Sequence, residues 1–132
     1  MGVVAHNTGR CDYAKSLGRM DVMRAQMADV LVKVDLLVSQ AMPIPAFPVQ
    51  GCPESIGGRK ATPSPAWGFI QFTHPINTVG YTAASVPCGF SSDGMPIGLQ
   101  IVGREGDEST VIAASAAFES ARPWADTKPP VS

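Results

Sequence analysis

The sequence predicts an α/β chain with a long N-terminal helix, short strands of a mixed sheet and a C-terminal helix. Three observations carry that prediction. Two short apolar runs, Ala83 to Phe90 and Ile97 to Val102, flank Ser91-Ser92-Asp93-Gly94. An Asp-Gly step between apolar runs marks a hairpin turn, because glycine takes a positive φ without steric cost. Upstream, apolar residues recur at helical spacing between Arg10 and Val34, and downstream a second helical pattern starts at Asp107.

In the first helix Leu17, Met20, Met27, Leu31 and Val34 form one stripe at spacings of 3, 7, 4 and 3, which predicts an apolar face turned to a core. Arg24 interrupts the stripe, either snorkelling to solvent or pairing with a carboxylate elsewhere. Asp12, Asp21 and Asp29 with Arg10, Arg19 and Lys33 read as the solvated face. Leu36 to Gln40, short and apolar before Pro43, reads as a buried strand, with Asp35 a hydrogen-bonding residue at the junction.

Residues 41–66 contain Pro43, Pro45, Pro48, Pro53, Pro63 and Pro65 with Gly51, Gly57 and Gly58. Proline removes a backbone donor and fixes φ, so this is a long loop within a single domain spanning 1–132. Gly57-Gly58-Arg59-Lys60 matches no phosphate-binding loop and reads as a turn with exposed charges. Trp67 to Phe72 then holds three of the seven Phe and Trp residues. The segment is either an anchor for the proline-rich loop or one wall of an apolar pocket.

In the strand from Ile97, Leu99 and Ile101 point one way with Ile97, while Gly98, Gln100 and Val102 point the other. Neither set is charged, so both faces are expected to be covered. In the last helix Asp107 and Glu108 suit an N-terminal turn. Val111, Ala114, Ser115, Phe118 and Ala121 line one side, and Arg122-Pro123 ends the helix.

Composition narrows the function classes. Hydrophobic residues make up 45% and charged residues 16% of the 132, which argues against disorder. A net charge of −1 leaves no electrostatic footprint for nucleic acid, and no apolar run reaches the ~20 residues of a membrane span. Cys11, Cys52 and Cys88 are too widely spaced for a metal pair or a disulfide framework, and a reducing cytoplasm is the expected location. Neither a metal nor another cofactor is expected.

The string PxNxxGxxAxSVPxGxxxxGxPxGLQIVG, from Pro75 through Asn77, Gly80, Ala83, Ser85-Val86-Pro87, Gly89, Gly94 and Pro96 to Gly98-Leu99-Gln100-Ile101-Val102-Gly103, resembles the C-terminal segment of the amidase signature family. Val34-Asp35-Leu36-Leu37-Val38 followed by Pro43 resembles its "DLLLTP" strand. Ala113 to Trp124, with Glu119, Pro123 and Trp124, resembles its closing helix. The resemblance implies part of an α/β/α sandwich, cut from a longer enzyme that hydrolyses carboxamides to carboxylate and ammonia. It also implies a substrate cavity bordered by Trp67, Phe69, Phe72 and Asn77.

The family's Ser–cis-Ser–Lys triad lies N-terminal to everything matched, so no catalytic residue is carried over, and the chain alone is expected to be inactive. The bare sequence agrees. Gly89-Phe90-Ser91-Ser92-Asp93 fails the GxSxG spacing, Cys88 with His74 is only a remote thiol–imidazole pair, and Lys15, Lys33, Lys60 and Lys128 fit no catalytic motif. Two alternatives stand beside the hydrolase: the related A-type component of an amidotransferase, and a non-catalytic module that self-associates or binds a partner chain. A small amide would be a substrate only with an N-terminal half in place.

Overall fold

The computed structural model describes residues 9–49, 51, 53–60 and 68–127. Its elements run α1 (Arg10–Leu31), β1 (Leu37–Gln40), β2 (Ser55–Ile56), β3 (Arg59–Lys60), α2 (Thr73–Val79), β4 (Ala83–Phe90), β5 (Pro96–Val102) and α3 (Glu108–Ala121). The α/β expectation holds, and each expected helix and strand lies within a few residues of its sequence signals.

The β4–β5 hairpin is the centre. Gly94, at φ 77°, turns the chain, Gly94 N–H donates to the Ser91 carbonyl at 3.0 Å, and Ser91 N–H donates to the Met95 carbonyl at 2.8 Å. Pairing runs from Ala83 opposite Val102 to Phe90 opposite Pro96, with a bulge at Cys88 between Pro87 and Gly89. β1 joins the other edge of β5, Leu37 opposite Val102 and Gln40 opposite Leu99. The order is β1-β5-β4.

Both pairings are antiparallel, which corrects, for the described residues, the expectation of a mixed sheet. β1 and β4 do run the same way, but β5 lies between them.

The alternation along β5 separates two packed sides. Ile101 and Val86 form a buried cluster with Val111 of α3, joined by Leu36, Ala84, Leu99, Ala114, Phe118 and Trp124. On the other side Gln100 and Val102 are also buried, and the Gln100 amide reaches the start of α2. Helix α3 is capped by Asp107, whose carboxylate accepts from the Thr110 hydroxyl at 2.7 Å, Ser109 Oγ at 3.2 Å and Thr110 N–H at 3.4 Å. The Thr110 hydroxyl bond, chief among these contacts, holds the carboxyl below its ordinary value; Arg104 acts the same way and partial desolvation opposes them.

Helix α1 ends at Leu31 rather than Val34, and its stripe is covered only at one end. Leu31 is buried and Met20 and Met27 are half-buried, whereas Leu17 and Val34 are exposed with Tyr13, Val22 and Met23. The cause is the short reach of its support, since α1 rests on α2, a helix of only seven residues. Arg24 finds a carbonyl instead of a carboxylate. Its Nε donates to Val79 at the end of α2 at 3.0 Å, and Tyr81 Oη donates back to the Arg24 carbonyl at 3.2 Å. Arg104 fastens the far end of α1 by donating to the Leu31 and Val34 carbonyls at 3.1 and 3.2 Å and pairing with Asp35 at 3.2 Å.

Helix α2 has no counterpart among the elements the sequence predicts. Pro75 sits in its first turn, where a missing N–H costs nothing, and Gly80 closes it at φ 75°. Among its described residues the proline-rich loop contains a small hairpin, β2–β3, whose Gly57-Gly58 turn has both φ values positive (56° and 75°). Arg59 and Lys60 are exposed, as the turn reading requires.

Candidate functional site

Where β1 gives way to the proline-rich segment, Ala41 N–H donates to the Gly98 carbonyl at 2.9 Å. That bond brings the chain after β1 against the start of β5. Between them lies a cavity of about 440 Å³, walled by Met42 to Phe47 on one side and Pro96 to Gly98 on the other. Among the described residues Gln40 supplies its one polar side chain. A neighbouring cavity of about 300 Å³ shares Met42 and Pro96 to Gly98 and adds Ala41 with Ser85 to Pro87. The larger volume falls in the roughly 300–1,000 Å³ range of small-ligand sites.

Of the four pocket residues expected from sequence, Phe69, Phe72 and Asn77 are not among those lining this cavity, although Phe69 packs on Phe47 of its wall. The Phe69 ring meets Phe47 edge-on, with centroids 5.3 Å apart and planes at 62°. The same contact does what an anchor for the proline-rich loop should do. Phe72 is half-buried, and its carbonyl accepts from Gln100 Nε2 at 3.1 Å. The same amide nitrogen donates to Ser39 Oγ at 3.2 Å. Buried Gln100 therefore ties β1, β5 and the aromatic segment together. Asn77 lies on α2 and is not among the residues lining either cavity, and Trp67 falls outside the described residues.

Three other residues singled out in the sequence are accounted for by local structure. Cys88 sits at the β4 bulge, half-buried, with Sγ donating to the Ile97 carbonyl at 3.4 Å. Asp35 pairs with Arg104, matching its reading as a structural residue. Trp124 packs against Phe118 at 6.3 Å, holding the chain after α3 against that helix. Among the described residues no group of His, Cys, Asp or Glu is arranged to hold a metal ion, and no helix is long and apolar enough to cross a membrane.

Sequence reasoning missed the walls at Met42 to Phe47 and Pro96 to Gly98. A signal was present. Ile44 and Phe47 are interspersed with Pro43, Pro45 and Pro48, giving an apolar loop where a solvent loop would carry Ser, Asn and Asp.

A three-stranded sheet with packed sides and a mostly apolar cavity beside its central strand is a partial α/β architecture, and comparison with known proteins gives it a family. A sequence model described as Amidase matches residues 2–112. The chain belongs to the amidase signature family.

Among curated relatives, it is 38% identical over 132 residues to the A component of the glutamyl-tRNA(Gln) amidotransferase of Methanosarcina mazei, covering 98% of this chain and 26% of that protein. It is 35% identical over 131 residues to the protein of the same name from Bacillus velezensis, covering 98% and 25%. Among solved structures, a 6-aminohexanoate cyclic dimer hydrolase superposes with a TM-score of 0.81 at 29% identity, over 93% of this chain and 27% of the other. A bacterial aryl acylamidase of the amidase signature family gives 0.76 at 31% identity, over 89% and 24%. The chain thus spans about a quarter of the length of the curated relatives it matches.

Proposed function

We propose that this chain is the C-terminal portion of an amidase-like carboxamide hydrolase, supplying sheet strands and part of the substrate pocket. The observation that carries this reading is a match to curated relatives that runs over 98% of the chain yet covers only about a quarter of their length. The fold supports it. The exposed apolar residues Tyr13, Leu17, Val22 and Met23 of α1 are what a helix shows when its covering layer belongs to another part of an α/β/α sandwich.

In the completed enzyme the division of labour follows from what each part carries. The N-terminal part holds the Ser–cis-Ser–Lys triad, in which Lys activates the bridging Ser and that Ser activates the nucleophile. Attack on the amide carbonyl forms an acyl-enzyme and releases ammonia, and water then releases the carboxylate. This chain's contribution is binding. In this reading Phe69, Phe72 and Asn77 would border the acyl side of the pocket, and Gln100 keeps the Phe72 backbone in register with the sheet. An apolar wall orients the acyl group of the substrate without taking part in bond breaking.

A second reading is favoured by the names of the curated relatives. The chain would then be part of the A component of an amidotransferase, whose ammonia is passed to a charged tRNA through partner chains.

The test is ammonia release by the purified chain across a panel of aliphatic, aromatic and amino-acid amides. No activity above a buffer control is expected. Saturable release that survives repurification would overturn the proposal, because it would demand a complete catalytic centre within these residues.

A further inference from the structure

We propose that the Asp93–Gly94 step at the tip of the β4–β5 hairpin is a covalent modification site, where the main chain isomerises from aspartate to isoaspartate. The inference is independent of the hydrolase reading.

Sequence and structure together single out this step. Among all Asp and Asn residues of the chain, Asp93 alone precedes a glycine. Every other is followed by a residue with a β-carbon, which crowds the approach of a side-chain carboxyl to the next backbone nitrogen. Asp93 and Gly94 are both exposed. Nothing lies within 4 Å of the position a β-carbon would take on Gly94. The Asp93 carboxylate is held only by a long hydrogen bond from Ser92 Oγ at 3.4 Å. Other carboxylates are restrained. Asp107 accepts from Ser109 and Thr110, and Asp35 pairs with Arg104. Asp12, Asp21 and Asp29 lie in α1, where the following N–H is tied into the helix.

The step needs no reagent but water. The Gly94 nitrogen attacks Cγ of the Asp93 carboxylic acid. The N–Cγ bond forms, the bond from Cγ to its hydroxyl breaks, and the hydroxyl leaves with the N–H proton as water. Water then adds to a carbonyl of the resulting five-membered succinimide. Cleavage of the N–Cγ bond restores aspartate. Cleavage between the nitrogen and the Asp93 main-chain carbonyl carbon leaves the chain running through Cβ and Cγ, with a free α-carboxylate. Mass is unchanged. The Gly94 N–H first has to leave the Ser91 carbonyl, to which it donates at 3.0 Å. Opening one exposed turn bond slows the step by no more than about tenfold.

The product is one methylene longer in the main chain between Ser91 and Met95. Ser91 closes the present turn with its N–H to the Met95 carbonyl at 2.8 Å, its carbonyl to Gly94 N–H, and its Oγ to Met95 N–H at 3.1 Å. That set is fitted to the shorter loop, because loop length selects the turn. The modification therefore loosens the hairpin on which the sheet is centred.

The experiment ages the 132-residue chain at neutral pH, with its fold verified by near-UV circular dichroism. Electron-transfer mass spectrometry distinguishes isoaspartate from aspartate at equal mass, and a free peptide spanning Ser91 to Pro96 is aged beside it. Isoaspartate at position 93 is expected to accumulate within about tenfold of the peptide rate, and at least about tenfold faster than at any other Asp. In Asp93→Asn the same ring closes with ammonia as the leaving group, and conversion is expected to be at least about tenfold faster than in wild type. Accumulation below the stated bound, equal conversion at Asp107 or Asp126, or an Asp93→Asn variant no faster than wild type would overturn the proposal.

Discussion

Replacing Gly103 by alanine tests how tightly α3 is seated on the sheet. Gly103 follows β5 and is buried. A methyl group there would sit 2.7 Å from Val111 Cγ2, 3.5 Å from the Asp107 carbonyl oxygen and 3.7 Å from Leu36 Cδ2. Carbon atoms prefer about 3.5–4.0 Å, so the first contact is short by roughly 1 Å.

Val111 has little room to yield. It is 2% exposed, packs with Val86 and Ile101, and as a β-branched helical residue is held near one χ1 rotamer. Overpacking of this kind costs about 1–3 kcal/mol. Gly103 lacks a positive φ, so alanine also stiffens the unfolded chain and returns about 0.4–1 kcal/mol. The net loss is about 1–2 kcal/mol, a fall in Tm of roughly 4–8 °C for a chain of this size.

Urea and thermal unfolding followed by tryptophan fluorescence are suitable assays, because Trp124 packs on Phe118 of the same helix. Val111→Ala alone should cost about 2 kcal/mol, and the double variant should be less destabilised than the sum by at least about 1 kcal/mol. An unchanged Tm in Gly103→Ala, or strict additivity in the double variant, would refute the steric argument.

Two further perturbations probe polar fastenings. Gln100→Leu leaves the Phe72 carbonyl and Ser39 hydroxyl without their shared donor and should lower stability by about 1–3 kcal/mol; a urea midpoint equal to wild type would show that neither bond contributes. Asp107 tests the pH response. A carboxyl held below its ordinary value of 3.8 contributes stability that is complete above that value and lost as pH falls through the lower folded value. Asp107→Asn keeps an acceptor for Thr110 but does not titrate, so the urea midpoints of the two proteins should converge as pH falls from about 5 toward 2. Parallel curves would contradict the capping account.

What was legible in the sequence tracks how local its cause is. The hairpin followed from Asp93-Gly94 between two apolar runs, and α3 followed from Asp107 and the spacing of Val111, Ala114 and Phe118. Helix α2 was hidden because seven residues are too few to show a period, although Pro75 near its start and Gly80 at its end were readable as boundary marks. The stripe on α1 is helical, as its spacing says, but less of it is buried than the spacing alone implies. Periodicity tells which face is apolar but cannot tell how far a partner element reaches. The cavity depended on bringing residues 42–47 beside residues 96–98, a meeting set by the β1–β5 pairing and by no local pattern.

The hydrogen bonds that fasten α1 have a consequence for synthesis. Arg24 bonds across 55 residues to Val79, and Arg104 reaches back 73 residues to Leu31. A ribosome adding roughly 5–20 residues per second needs about 4–15 s to make the chain between Leu31 and Arg104. For that interval α1 exists with its apolar residues presented to the cell and its distal clasp not yet made. Leu31 must therefore wait for the last of its partners, making this helix the stretch where a chaperone has the longest opportunity to bind.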